Sequence, residues 1–230
     1  MKDGFIKVAA GTPDVQVADC EFNAAEIIKM VREMEAEGAK VMVFPELCIT
    51  AYTCGDLFWQ ENLLEEAKVQ LVRIAEETAD VDAIIFVGLP LEYKGKLYNV
   101  AAGLNRGEIL GFVPKTYLPN YNEFYEARYF TSGENVDGTV HIGREEYKER
   151  YGADTESDDV EFDGFEELEE IEELEDDEPD YIEEDEEEDF YDEEIWISPN
   201  TIFTCADMPK LQIAAEICED LWVPNPPSVR

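Results

Sequence analysis

Apolar and polar positions along the first 135 residues follow two alternating periods. Phe5 to Ala10 is a short apolar stretch of strand character that ends at Gly11-Thr12-Pro13. From about Phe22 to Glu37 the spacing lengthens. Ile27, Met30, Val31 and Met34 share one helical face, and Gly38 is placed to stop the helix. Val41-Met42-Val43-Phe44 is an unbroken apolar run, as expected of a strand buried on both faces. A second helix is predicted from about Asn62 to Ala79, with Leu63, Leu64, Ala67, Leu71, Ile74 and Ala75 inward, and another buried strand from Ala83 to Leu89.

Connections then shorten. Lys94-Gly95-Lys96 is one tight turn and Asn105-Arg106-Gly107-Glu108 a second, so Leu97–Leu104 and Ile109–Val113 are expected to pair as a hairpin. Two strand–helix units followed by an antiparallel meander predict an α/β fold: a mixed sheet with helices on one face. Beyond Glu134 the pattern fades. Strand-like runs return at Ile195–Ile197, Thr201–Phe203 and Gln212–Ile217.

Charge explains the interruption. Of 57 acidic residues, 27 crowd into the 41 positions 154–194, which contain no lysine or arginine. Composition therefore predicts an acidic insertion over 136–194, solvated by default, between an N-terminal part (1–135) and a C-terminal part (195–230). Phe165, Leu168, Ile171 and Leu174 recur every three residues and allow a short acidic helix. Asp159, Glu161, Asp163, Gly164 and Glu170 loosely mimic a calcium loop, but such matches arise easily in so acidic a stretch, and no metal is predicted.

A formal net charge of −40 disfavours a nucleic-acid partner. No apolar run approaches the ~20 residues a membrane span needs. The five cysteines at 20, 48, 54, 205 and 218 show no CxxC spacing, as expected of reduced thiols in a cytoplasmic protein. A single histidine, His141, leaves little room for zinc or for a Cys–His pair.

Three stretches put a reactive side chain where a strand ends: Glu46 after Val41-Met-Val-Phe-Pro45, Lys115 after Gly111-Phe-Val-Pro114, and Cys218 after Ala214-Ala-Glu-Ile217. Strand termini are common sites for chemistry in α/β proteins, because the scaffold there is rigid and the mouth open. Taken singly, each has an ordinary explanation as a surface charge or a buried thiol.

Together they carry a family resemblance. FPELCITAYTCGDLF (Phe44–Phe58), VPKTYLPNYNEFYEARYF (Val113–Phe130) and EICEDLWVPNPPS (Glu216–Ser228) resemble the nitrilase, or carbon–nitrogen hydrolase, superfamily. The nearest subgroup is the glutamine-amidotransferase domain of glutamine-dependent NAD synthetases. The resemblance covers 1–135 and about 195–230. It implies an α-β-β-α sandwich, with Glu46, Lys115 and Cys218 as base, oxyanion stabiliser and nucleophile. It also implies that Glu123 positions the catalytic groups, that Tyr121 contacts substrate, and that Glu219 and Trp222 line the pocket. Tyr52 is either a further supporting residue or simple packing.

The implied reaction is hydrolysis of the glutamine side-chain amide through a cysteine thioester, with ammonia passed on for NAD synthesis. The family domain continues past the nucleophile with further strands that have no counterpart here, so the resemblance implies an incomplete sandwich. Neither an SGGxDS nor a GxxxxGK[ST] motif occurs, so ATP and magnesium are expected only in a separate synthetase domain or chain that accepts the ammonia. Pairing of such domains through their outer layers makes a homo-oligomer an expectation as well. The alternatives are a stand-alone amidase of the superfamily and a non-catalytic acidic interaction protein on a degraded scaffold.

Overall fold

A computed structural model describes residues 5–152 and 193–229. The acidic stretch with the expected 165–174 helix and the 159–170 loop lies outside the described residues. β1 (Val8–Ala10), β2 (Val41–Val43) and β3 (Ile84–Tyr93) run parallel. Between them come α1 (Cys20–Ala36) and α2 (Glu61–Glu77). β4 (Lys96–Asn105) and β5 (Glu108–Pro114) return antiparallel. The two expected turns connect them. Lys94-Gly95 and Arg106-Gly107 both take positive φ, the backbone that matches the twist of a two-residue hairpin.

Each helix begins and ends as its local chemistry dictates. Asp19 caps α1 by accepting the Phe22 N–H, and Gly38 at φ +79 lets the chain leave without a side-chain clash. Ile27 and Val31 of α1 and Leu71 and Ile74 of α2 are fully buried, and they pack on one face of the sheet with Ile85, Val87, Leu89, Val100, Ala102 and Phe112. Burial of each such aliphatic side chain favours folding by about 1.5–3 kcal/mol.

Two corrections follow for residues 136–152, which composition assigned to the insertion. Gly138–Ile142 forms β6 and Glu145–Tyr151 forms α3. β6 pairs antiparallel with β7 (Glu193–Ile197), and β7 joins β5 in parallel, giving the sheet order β1-β2-β3-β4-β5-β7-β6. α3 reaches α2 through the Tyr151 hydroxyl, which accepts from Gln70 at 2.9 Å. The fading of hydrophobic pattern after Glu134 reflects an edge strand, whose outward residues need not be apolar.

The opposite face of the sheet carries a two-stranded ribbon, β8 (Phe203–Cys205) and β9 (Met208–Ile213). Phe203 packs edge-on to Phe86 at 5.2 Å and lies over Gly103, where a Cβ would fall 2.7 Å from its ring. The ribbon is shifted from expectation at both ends. Thr201 is held in a turn by its hydroxyl bond to the Ser198 carbonyl, so pairing begins only at Phe203. The run to Ile217 also splits after Ile213, because the Ile217 N–H is taken by the Asp220 carboxylate rather than by a strand.

Candidate active site

Strand alternation places the reactive groups on the face away from α1 and α2. Within β3, Ile85, Val87 and Leu89 point to the helices, so Phe86 and Gly88 point the other way. The same parity turns Asn99 of β4, and Val113 with the following Lys115 of β5, toward the face that carries the ribbon.

Glu46 reaches this face through a tight turn after β2. Phe44 still pairs with β3, and the Ile49 N–H donates to the Gly88 carbonyl at 3.1 Å, so the turn lies flat on β3. Only glycine permits that approach. A Cβ at Gly88 would sit 2.3 Å from the Leu47 nitrogen and 2.9 Å from the Pro45 oxygen. Leu47 itself is fully buried at φ +54, a left-handed conformation uncommon for a leucine, and it is held there by packing.

Lys115 is the centre of the cluster. Its ammonium donates to Glu46 Oε1 at 2.6 Å and to Glu126 Oε1 at 2.8 Å, and its side chain is wholly buried. Asn99 Nδ2 donates to the same Glu46 oxygen at 2.5 Å. Tyr52 donates its hydroxyl to Glu126 Oε1 at 2.7 Å. One lysine thus holds two carboxylates, each with a second neutral donor. Burial alone would weaken the lysine's charge, but Glu46 and Glu126 outweigh it and hold its pKa above the ordinary value. Burial pushes the Glu126 carboxyl up, with Lys115 opposing.

The residue holding Lys115 from the far side is therefore Glu126, not Glu123. Glu126 opens a 3-10 turn (Glu126–Arg128) and is 4% exposed, whereas Glu123 is exposed. The two acids are three residues apart in an irregular loop, where no periodicity tells inward from outward. Asn99 was also missed. An uncharged polar residue in an otherwise apolar strand, Leu97-Tyr-Asn-Val-Ala, was the available signal.

Cys218 stands at the start of α4 (Glu219–Trp222), with an exposed side chain and the strained backbone φ +47, ψ −101. It lines a cavity of about 250 Å³ together with Glu46, Gly88, Asn99 and Ile217. The three predicted groups are therefore brought together: Glu46 and Cys218 both line the cavity, and Lys115, outside its lining, donates to Glu46. Partial burial, then the Glu46 charge, raise the Cys218 pKa, with Lys115 opposing, so the resting side chain is the thiol. Burial alone pushes Cys48 up to about 12 and is the main cause of the same rise at Cys20, so both are chemically quiet.

The remaining predicted residues separate. Tyr121 donates its hydroxyl to the Glu219 carboxylate at 2.8 Å, and neither residue lines the cavity, although Glu219 was expected on its wall. Tyr52 supports Glu126, as described. Trp222, expected on the pocket wall, is 74% exposed and does not line the cavity, because the four-residue helix turns its indole outward. Among the described residues, no group of three or more His, Cys, Asp or Glu side chains could hold a metal ion. No helix among them is long and apolar enough to cross a membrane.

Comparison with known proteins bears on this geometry. A carbon-nitrogen hydrolase family profile matches residues 7–155. A glutamine-dependent NAD(+) synthetase of Mycobacterium bovis is 32% identical over 225 residues, which is 98% of this chain and 26% of that protein. One from Aquifex aeolicus is 41% identical over 118 residues, 51% of this chain and 20% of that protein. The chain thus spans about a quarter of the length of the curated relatives it matches over nearly its whole length. The crystal structure of a glutamine-dependent NAD(+) synthetase from Cytophaga hutchinsonii superposes with a TM-score of 0.66 at 22% identity, covering 93% of this chain and 28% of that one. At that identity the superposition establishes the fold.

Proposed function

This chain belongs to the carbon–nitrogen hydrolase family, and from that premise we propose that it is the ammonia-supplying glutaminase part of a glutamine-dependent NAD synthetase. One observation carries the reading. A buried lysine bridges two carboxylates, and the nearer carboxylate shares its cavity with a strained, exposed cysteine.

The chemistry follows from the protonation states. Cys218 rests as a thiol and needs a base, and Glu46 is the carboxylate beside it. Lys115 and Asn99 both hold Glu46 Oε1, so Oε2 is the oxygen that takes the thiol proton. The thiolate attacks the side-chain carbonyl carbon of glutamine, and negative charge develops on the carbonyl oxygen. Lys115, with a backbone N–H following Cys218, stabilises that charge. Such a donor is typically worth about 2.7–4 kcal/mol of barrier. When the C–N bond breaks, Glu46 returns its proton to the nitrogen and ammonia leaves. Water then attacks the γ-glutamyl thioester, giving up a proton to Glu46. The C–S bond breaks, the thiolate is reprotonated, and glutamate is released.

Glu126 positions Lys115 in this scheme, and Tyr52 holds Glu126. In this reading the hydrogen-bonded pair Tyr121 and Glu219 contacts the substrate's amino-acid end. The chain's own residues complete the cycle without a cofactor. ATP and magnesium belong to a synthetase unit outside these 230 residues, which accepts the ammonia. The cytoplasm suits free thiols and a nucleotide-forming partner, and self-association through the outer helices fits the same scheme.

Ammonia release from glutamine, compared with release from asparagine and from simple aliphatic amides, tests the proposal. Preference for glutamine, lost in Cys218→Ala, is the expected result. Equal turnover of simple amides would favour a stand-alone amidase, and no release from any amide would favour a non-catalytic role.

A further inference from the structure

Asp220 is placed two residues after the nucleophile and is 2% exposed. It makes no ion pair among the described residues. Instead it gathers backbone N–H groups from two distant segments. Oδ1 accepts from Thr116 at 3.1 Å and from Tyr117 at 2.7 Å, the two residues that follow Lys115. Oδ2 accepts from Ile217 at 3.3 Å, the residue that precedes Cys218, and shares the Thr116 N–H at 3.3 Å. The Asp220 N–H in turn donates to the Ile217 carbonyl at 3.1 Å, and the Leu221 N–H donates to the Cys218 carbonyl at 3.1 Å.

This pattern closes a four-residue loop, Ile217 to Asp220, around the positive-φ cysteine. The same carboxylate rivets that loop to the end of β5. A strained φ persists only where its surroundings over-determine it, and here one side chain does so from both directions. We infer that Asp220 is a positioning residue: it sets the register between Cys218 and Lys115 and so the reach of the nucleophile to the carbon whose oxygen Lys115 stabilises. It touches neither substrate nor reacting atoms and acts only through the backbone. A well-packed apolar residue at 220 would take the acceptor away from the buried N–H groups of Thr116 and Ile217, so the carboxylate is required by geometry as well as by charge.

The inference rests on the glutaminase reading, and the test separates the two. In Asp220→Asn the amide presents only one acceptor oxygen to donors that need two, in almost the same volume. Two reagents compare the effects on Cys218: a glutamine-like diazo-ketone, whose capture requires the whole constellation, and iodoacetamide, which requires only an accessible thiol. Diazo-ketone labelling should slow by about 100-fold, as a 1 Å misplacement typically costs, while iodoacetamide alkylation stays within about threefold. Asp220→Glu keeps both oxygens but displaces them by a methylene, and it should show the same split with a thermal midpoint close to the parent's. Unchanged diazo-ketone labelling in Asp220→Asn overturns the inference. Failure of both variants to fold also overturns it, leaving Asp220 a folding role alone. If the parent itself is not labelled at Cys218, the glutaminase reading fails first.

Discussion

The two faces of the central sheet are built from alternate residues of the same strands, yet they solve opposite problems. Toward α1 and α2, Leu89, Val100 and Phe112 are fully buried and apolar, and their packing is non-directional. On the other face, Gly88, Asn99 and Lys115 follow the same strands and hold charges in place. There the packing is directional: Lys115 donates at 2.6 and 2.8 Å to two different carboxylates. The lesson is that a shift of one residue along a strand separates stability from chemistry. The apolar face can be repacked with residues of similar volume, but the polar face depends on each hydrogen bond being made.

The largest expected effect breaks the comparison at its sharpest point. Lys115→Met leaves Glu46 and Glu126 facing each other without a counter-charge, which should cost about 3–5 kcal/mol of stability at neutral pH along with the activity. Leu89→Ala, on the apolar face, should cost a comparable ~2–5 kcal/mol through its cavity. Only the first loss should depend on pH. Burial already raises the Glu126 carboxyl, and removing Lys115 removes the positive charge that opposes the rise. The folded variant therefore binds that proton more tightly than the unfolded chain does. Its stability should rise as pH falls from neutral toward the ordinary carboxylate range and level off below it. Denaturant melts of both variants across that range check this. Parallel pH profiles would show that the two faces are not different in kind.

A second, smaller effect sharpens the electrostatic account of the nucleophile. Glu46 is the leading charge that raises the Cys218 pKa and Lys115 the one that lowers it. Glu46→Gln should therefore move the pH profile of Cys218 alkylation by iodoacetamide to lower pH, and Lys115→Met should move it higher. Shifts in the reverse sense would mean that these charges do not reach the thiol.

The smallest expected effect is the most specific. Glu123→Ala should leave stability within about 0.5 kcal/mol of the parent, as for other surface substitutions, and should leave diazo-ketone labelling unchanged. Glu126→Gln should slow that labelling. The reverse order would restore Glu123 to the position next to Lys115.

Much of this was legible in the sequence, and the exceptions are of two kinds. Periodicity located β2 through β5 and both long helices to within a few residues, because each buries one continuous face. Apolar runs before Glu46, Lys115 and Cys218 drew attention to them, and the family resemblance of the surrounding stretches supplied their roles. Glu126, Asn99 and Asp220 were not legible. Glu126 lies in a turn without a period, Asn99 left only the weak signal of one polar residue in an apolar strand, and Asp220 acts through backbone groups 103 and 104 residues away. β6 and α3 were hidden for another reason. An edge strand and an amphipathic turn beside an acidic run leave little hydrophobic signal, so composition overruled them.

The central claim is that Glu46, Lys115 and Cys218 act as one site. Mapping the adduct formed by a glutamine-like diazo-ketone tests it most directly, with the parent chain compared to Glu46→Gln and Lys115→Met. The account predicts a single adduct on Cys218 in the parent and a large loss of labelling in both variants, while the buried Cys20, Cys48 and Cys54 and the half-buried Cys205 stay unmodified. Labelling spread evenly over the five cysteines, or undiminished at Cys218 in both variants, would contradict it.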